Sequence, residues 1–130
     1  MPVSPQDLEV LIADGQTSDV HRVRQVLREM GLTRTQGVTD GLTALLALKR
    51  GPLDLLLLAA DLPRMDGLAI LDYLRKIPRF PLPPTILVLD ATGRDLAQRA
   101  AEFGVTQFLV KPFDDRTLTD RVRKALAARR

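Results

Sequence analysis

The chain has 130 residues, 45% of them hydrophobic and 27% charged, which suits one domain with a single core and leaves no room for a second. Its 19 Lys and Arg against 16 Asp and Glu give a formal net charge of +3, and the lack of cysteine excludes disulfides and thiol nucleophiles. The opening M-P-V-S-P-Q-D has no basic start followed by an apolar run, and no apolar segment reaches the roughly 18 residues of a membrane span. The chain therefore reads as a cytoplasmic domain over residues 1–130, with its core at about 7–128, and no membrane partner is expected. The basic residues are spread over several helices without a glycine-aromatic RNA motif or zinc-finger spacing, so solvated helix faces explain the positive charge better than nucleic acid does.

Leu8 to Ala13 is a short apolar run ending at Asp14-Gly15, a strand followed by a turn. Val20, Val23, Leu27 and Met30 then recur at helical spacing, with Ser18 or Asp19 as candidate N-cap and Gly31 as stop. Leu32 to Gly37 is a weak strand. After it, Thr39 or Asp40 can cap a helix that carries Leu42, Leu45, Leu46 and Ala47 and ends at Gly51-Pro52.

The stretch from Asp54 to Gly67, D-L-L-L-L-A-A-D-L-P-R-M-D-G, is the centre of the chain. Four leucines in a row are too few for a helix and uniformly apolar, as befits a strand buried on both faces. Asp66 can cap the helix marked by Leu68, Leu71, Leu74 and Ile77, which the proline-rich stretch from Pro78 to Pro84 ends. Thr85 to Leu89 is a fourth strand ending at Asp90, and Leu96, Ala100 and Phe103 trace a helix ended by Gly104. Gln107 to Val110 is a fifth strand ending at Lys111-Pro112-Phe113, followed by a helix with Leu118, Val122, Ala125 and Leu126 inward and Arg116, Arg121, Arg123 and Lys124 outward. Five strands alternating with five helices predict an α/β, flavodoxin-like, doubly wound parallel sheet in the order 2-1-3-4-5. That order gathers Asp14, Ala59 with Asp61, Asp90 and Lys111 at one crevice.

On I-A-D-G at Ile12–Gly15, L-P-R-M-D-G at Leu62–Gly67 and V-K-P-F at Val110–Phe113, each at an expected strand end, the chain resembles a response-regulator receiver domain of two-component signalling. The resemblance implies a phosphoryl group passed from a phosphohistidine to an aspartate at the end of the third strand. It also implies Mg²⁺ held by that aspartate, by an acidic pair after the first strand and by a backbone carbonyl, with a lysine and a Ser or Thr on the phosphoryl oxygens. Such chemistry needs positive charge around the acceptor, because negative charge accumulates on oxygen.

Matched residue by residue, the acceptor position, four before Pro63, is Ala59, and the acidic pair is Asp14-Gly15 with its second carboxylate gone. The hydroxyl position is Asp90, which would repel phosphoryl oxygens, while Lys111 remains. The degenerate pocket thus comprises Asp14, Gly15, Ala59, Asp61, Asp90 and Lys111. Asp90 and Phe108 stand at the switch positions, and Phe108 is expected to stay inward. No cofactor or metal is expected; Asp14 and Asp61 are the weak candidates for Mg²⁺. Lys111 is expected to pair with Asp90 or Asp14.

The reading is a pseudo-receiver, not an enzyme, that acts through protein contacts independently of phosphorylation. Its partners would be a histidine kinase, a regulator or an output domain, or a second copy through the fourth helix, fifth strand and fifth helix. The alternatives are an active receiver using Asp61 with Mg²⁺, and a basic nucleic-acid-binding module. Pro63, Met65, Gly67 and Phe113 also fit purely structural roles, and His21 a surface one.

Overall fold

A computed structural model describes residues 4–128; Met1, Pro2, Val3, Arg129 and Arg130, the ends of the expected domain, lie outside the described residues. Strands β1 (Glu9–Ala13), β2 (Arg34–Val38), β3 (Leu55–Ala59), β4 (Thr85–Leu89) and β5 (Gln107–Val110) alternate with helices α1 (Thr17–Glu29), α2 (Gly41–Arg50), α3 (Gly67–Arg75), α4 (Leu96–Ala101) and α5 (Asp115–Ala127). All the pairings are parallel and the sheet order is β2-β1-β3-β4-β5, as expected. On the helical layers, α1 packs against α5, while α2 meets α3 and α3 meets α4.

Every residue of β3 and of β4 is buried, because helices cover both faces of the central strands. Edge strand β2 instead shows exposed and half-buried positions, which explains its weak apolar signal in R-T-Q-G-V. The register pairs Ala13 with Leu58, Ala59 with Val88 and Leu89 with Val110. Strands β1, β3, β4 and β5 therefore end nearly level, and the next residues of each enter the same crevice.

Helix starts follow the sequence where a carboxylate can close the first turn. Asp40, Asp66 and Asp114 accept from the backbone N–H of Thr43, Ala69 and Thr117 at 2.8, 2.8 and 2.7 Å. Each such cap contributes about 1 kcal/mol. α1 differs from expectation: its N-cap is Gln16, without a side-chain cap, so Ser18 and Asp19 lie inside the first turn. α2 also differs, since it buries Ala44, Ala47 and Leu48 and leaves Leu42 and Leu46 exposed. Its apolar residues nearly encircle the helix, so periodicity did not define a single inward face.

Two glycines bind the loop after β3 to its neighbours. A Cβ on Gly41 would lie 1.6 Å from the Met65 carbonyl oxygen, and the Gly41 N–H donates to the Pro63 carbonyl at 2.9 Å. A Cβ on Gly67 would lie 2.6 Å from the Ala59 carbonyl oxygen. Only glycine allows these backbone approaches. The loop 61–66 is thereby held against the first turn of α2 and the end of β3, with Arg64 at φ 71° forming its tip.

Candidate functional site

The crevice at the C-terminal edge of the sheet is a cleft of about 960 Å³, and Asp14, Gly15, Ala59, Asp61, Asp90 and Lys111 all line it. The sheet order and the short loops bring these six together across 97 residues of chain. Phe108 does not line the cleft; it is half-buried against the core, and its carbonyl accepts from Arg121 Nε at 3.1 Å. His21 is exposed on α1.

An ion-pair cluster in the cleft joins the ends of β1 and β5 to α1. Lys111 Nζ lies 2.8 Å from Asp14 Oδ2 and 2.8 Å from Asp19 Oδ2, and also donates to Asp14 Oδ1 at 3.0 Å. Asp14 is buried, and its Oδ1 additionally accepts from the Gln16 N–H at 3.0 Å, which turns the chain into α1. Partial burial of the Lys111 ammonium works against its charge, but the hydrogen bonds and negative charges of Asp14 and Asp19 outweigh that desolvation, and its pKa is raised above the ordinary lysine value.

Of the two expected partners of Lys111, Asp14 is therefore found and Asp90 is not. Asp90 is exposed and occupied elsewhere: its Oδ1 accepts from the N–H of Thr92 at 2.9 Å and from its hydroxyl at 2.5 Å, capping a 3₁₀ turn at Ala91–Gly93. The hydroxyl and backbone bonds from Thr92 hold its pKa below the usual carboxylate value, and Lys111 is only a minor cause. Asp19 is the partner that sequence reasoning missed by treating it as a possible cap. The available signal was its place in the first turn of a helix that begins beside the crevice.

Ala59 and Ala60 form a buried apolar floor, and the Ala60 N–H is taken by the Val88 carbonyl at 2.9 Å. Asp61 is exposed, one residue further out. At Gly15 an added Cβ would meet Pro63 Cδ at 3.2 Å and the Asp61 carbonyl oxygen at 3.9 Å. Among the described residues no group of three or more His, Cys, Asp or Glu is arranged to hold a metal ion. Of the positions at which the resemblance places Mg²⁺ ligands, Asp14 is engaged by the Lys111 ammonium, and Gly15 and Ala59 offer no side-chain oxygen.

Residues 10–123 match the model of the response regulator receiver domain. The chain belongs to that family. It is 31% identical over 119 residues to the chemotaxis protein CheY-3 of Vibrio cholerae serotype O1, covering 92% of each chain. Against the chemotaxis protein CheY of Pseudomonas aeruginosa it is 32% identical over 117 residues, covering 90% of this chain and 94% of the relative. Among solved structures it resembles a putative response regulator from Chloroflexus aurantiacus with a TM-score of 0.82 at 25% identity, covering 92% of this chain and 98% of that one. The expected receiver fold and its place in two-component signalling are thus shown. No helix among the described residues is long and apolar enough to cross a membrane.

Proposed function

We propose that this receiver signals without aspartyl phosphorylation, through protein contacts made by one resting conformation. Receiver domains work with histidine kinases and output domains, so the reading keeps the domain in that setting, as a single cytoplasmic unit and not an enzyme, and changes what it responds to. The observation that carries it is Ala59: the β3 end that lines the crevice together with Lys111 offers a methyl group, and the ammonium is already paired with Asp14 and Asp19.

A ligand shifts a two-state equilibrium only by its differential affinity for the two states. A phosphoryl group entering this cleft would meet the carboxylate of Asp90 where the family has a hydroxyl, no carboxylate at Gly15, and a lysine bound to two acids. Each works against the charge neutralisation that phosphoryl transfer requires. We assign the contact surface to α4, β5 and α5, where Arg99 and Arg116 are exposed and Arg121 is tied to the Phe108 carbonyl and to Asp120.

The test is a titration with Mg²⁺ and beryllofluoride, followed by backbone amide shifts. We expect no saturable change at Asp14, Asp61 or Lys111. Saturable shifts centred on those three would overturn the reading and favour an active receiver that uses Asp61.

A further inference from the structure

Leu42, Leu46 and Tyr73 are the large hydrophobic side chains that stand exposed among the described residues, at 38%, 62% and 41% of full accessibility. They are not scattered. Leu42, Leu46 and Lys49 recur at i, i+4 and i+7 along the outer face of α2, so they form one stripe. Lys49 joins that stripe to α3: its Nζ reaches the Tyr73 hydroxyl at 3.3 Å and lies 5.3 Å from the ring centroid.

Past Lys49 the surface turns concave. A pocket of about 230 Å³ opens between the end of α2 and the proline-rich loop, lined by Leu48, Lys49, Pro52, Leu53, Phe80 and Pro81 among others. An exposed apolar stripe thus leads into an apolar pocket, the form of surface that takes a helix through residues at i, i+3, i+4 and i+7. The ten residues of α2 extend about 15 Å, the length of a two- to three-turn partner segment.

Charge decides what kind of helix fits. Residues 40–54 and 72–85, which build and border this surface, contain Lys49, Arg50, Arg75, Lys76 and Arg79 against three carboxylates, of which Asp40 caps α2 through Thr43 and Asp54 accepts from the Glu9 N–H on β1. Arg75 and Lys76 are engaged by Asp72, each at 3.2 Å. Lys49, Arg50 and Arg79 form no ion pair among the described residues, and all three are exposed.

We propose that the α2 face, Tyr73 and the Phe80 pocket form a docking site for an acidic amphipathic helix of a partner protein. Its apolar residues would cover Leu42, Leu46 and Tyr73, one of them would enter the pocket, and its carboxylates would face Lys49, Arg50 and Arg79. A second copy of this chain fits less well, because a two-fold contact through this patch would set its cations against themselves. An anionic bilayer also fits less well, because a flat surface leaves the concave pocket unfilled. The site lies apart from the α4–β5–α5 face and from the crevice, so it stands or falls independently of the phosphorylation reading.

The probe is a stapled helical peptide of about 15 residues, with Leu at i, i+3, i+4 and i+7 and Glu elsewhere, compared with a twin in which Lys replaces every Glu. We expect saturable binding of the Glu peptide, with amide shifts at Leu46, Lys49, Tyr73 and Phe80, and at least tenfold weaker binding of the Lys twin. Leu46→Asp and Lys49→Glu should each weaken the Glu peptide at least tenfold while the thermal midpoint stays within a few degrees, and Arg116→Glu should leave binding unchanged. The proposal is overturned if the Glu peptide gives no shifts on this face, if both peptides bind equally, or if Leu46→Asp has no effect. It is equally overturned if sedimentation finds a dimer that Leu46→Asp dissolves, or if vesicles of phosphatidylserine and phosphatidylcholine bind this face while the peptide does not.

Discussion

Leu57 and Ala59 lie two residues apart on β3 and face the same side of the sheet, yet their surroundings obey different rules. Leu57 pairs in register with Ile12 on one side and Ile86 on the other, and all three are almost completely buried. At that position packing volume dominates, since the strand neighbours on both sides are apolar and buried. Ala59 is buried too, but it borders a cleft lined by carboxylates and by Lys111, where charge and hydrogen bonding decide what a side chain can do. One strand therefore runs from a region governed by packing into one governed by electrostatics. The sharpest way to break the packed half is Leu57→Ala, which removes buried methyl and methylene groups between two well-packed neighbours. We expect a loss of about 2–5 kcal/mol in urea unfolding, with the cleft residues keeping their amide shifts. A loss below about 1 kcal/mol would mean that the centre of the sheet collapses easily around a cavity.

At Ala59 the chemical effect is the informative part. Ala59→Asp places a carboxylate in a largely desolvated position among other carboxylates, which disfavours its ionised form and lowers stability. It should not become labelled by a small-molecule phosphodonor, because Gly15 supplies no metal ligand and Asp90 still occupies the hydroxyl position. Restoring Gly15→Asp and Asp90→Thr with it should be required. The first of these asks the Pro63 ring to yield slightly, since the new Cβ would come within 3.2 Å of Pro63 Cδ. Stable labelling of the single variant would show that the acceptor alone determines activity.

The packed half was also the legible half. Four consecutive leucines, T-I-L-V-L and the glycine and proline breaks define the central strands and the sheet order, because burial on both faces leaves a sequence signal that no local interaction imitates. Asp40 and Asp66 were legible as caps for a similar reason, since a carboxylate before a helical run lies close to the unpaired first-turn N–H groups, whereas the Asp114 cap on α5 emerged only in the structure. The cleft was legible only as a set of positions. Which acid holds Lys111 depends on the direction in which α1 leaves β1, and Asp19 and Asp90 differ there in a way that spacing along the chain does not encode. Asp90 satisfies itself locally on Thr92, whereas Asp19, in a helix start without a side-chain cap to make, is free to reach across the cleft. The exposed stripe on α2 went unrecognised because leucine counts as core wherever it occurs in a helix.

The least costly way to test the electrostatic half is pH. The Lys111 pKa is raised in the folded state by Asp14 and Asp19 in spite of partial desolvation, so between the unfolded lysine pKa of about 10.4 and the higher folded value the folded chain binds more protons. Stability must then fall as pH rises through that window, because the slope follows the protons bound by the unfolded state minus those bound by the native state. The contribution is complete below the unfolded pKa and gone above the folded one. Its size is modest, since the Lys111 side chain is 28% exposed and solvent screens part of the attraction. The quantity to follow is the difference in unfolding free energy between the wild-type chain and Lys111→Met, in which contributions from the rest of the chain cancel. That difference should be flat from neutral pH to about 10 and shrink above it. A difference that stays constant, or widens, into the alkaline range would mean that the ammonium draws no net stabilisation from Asp14 and Asp19, and that the cleft tolerates Lys111 without being held together by it.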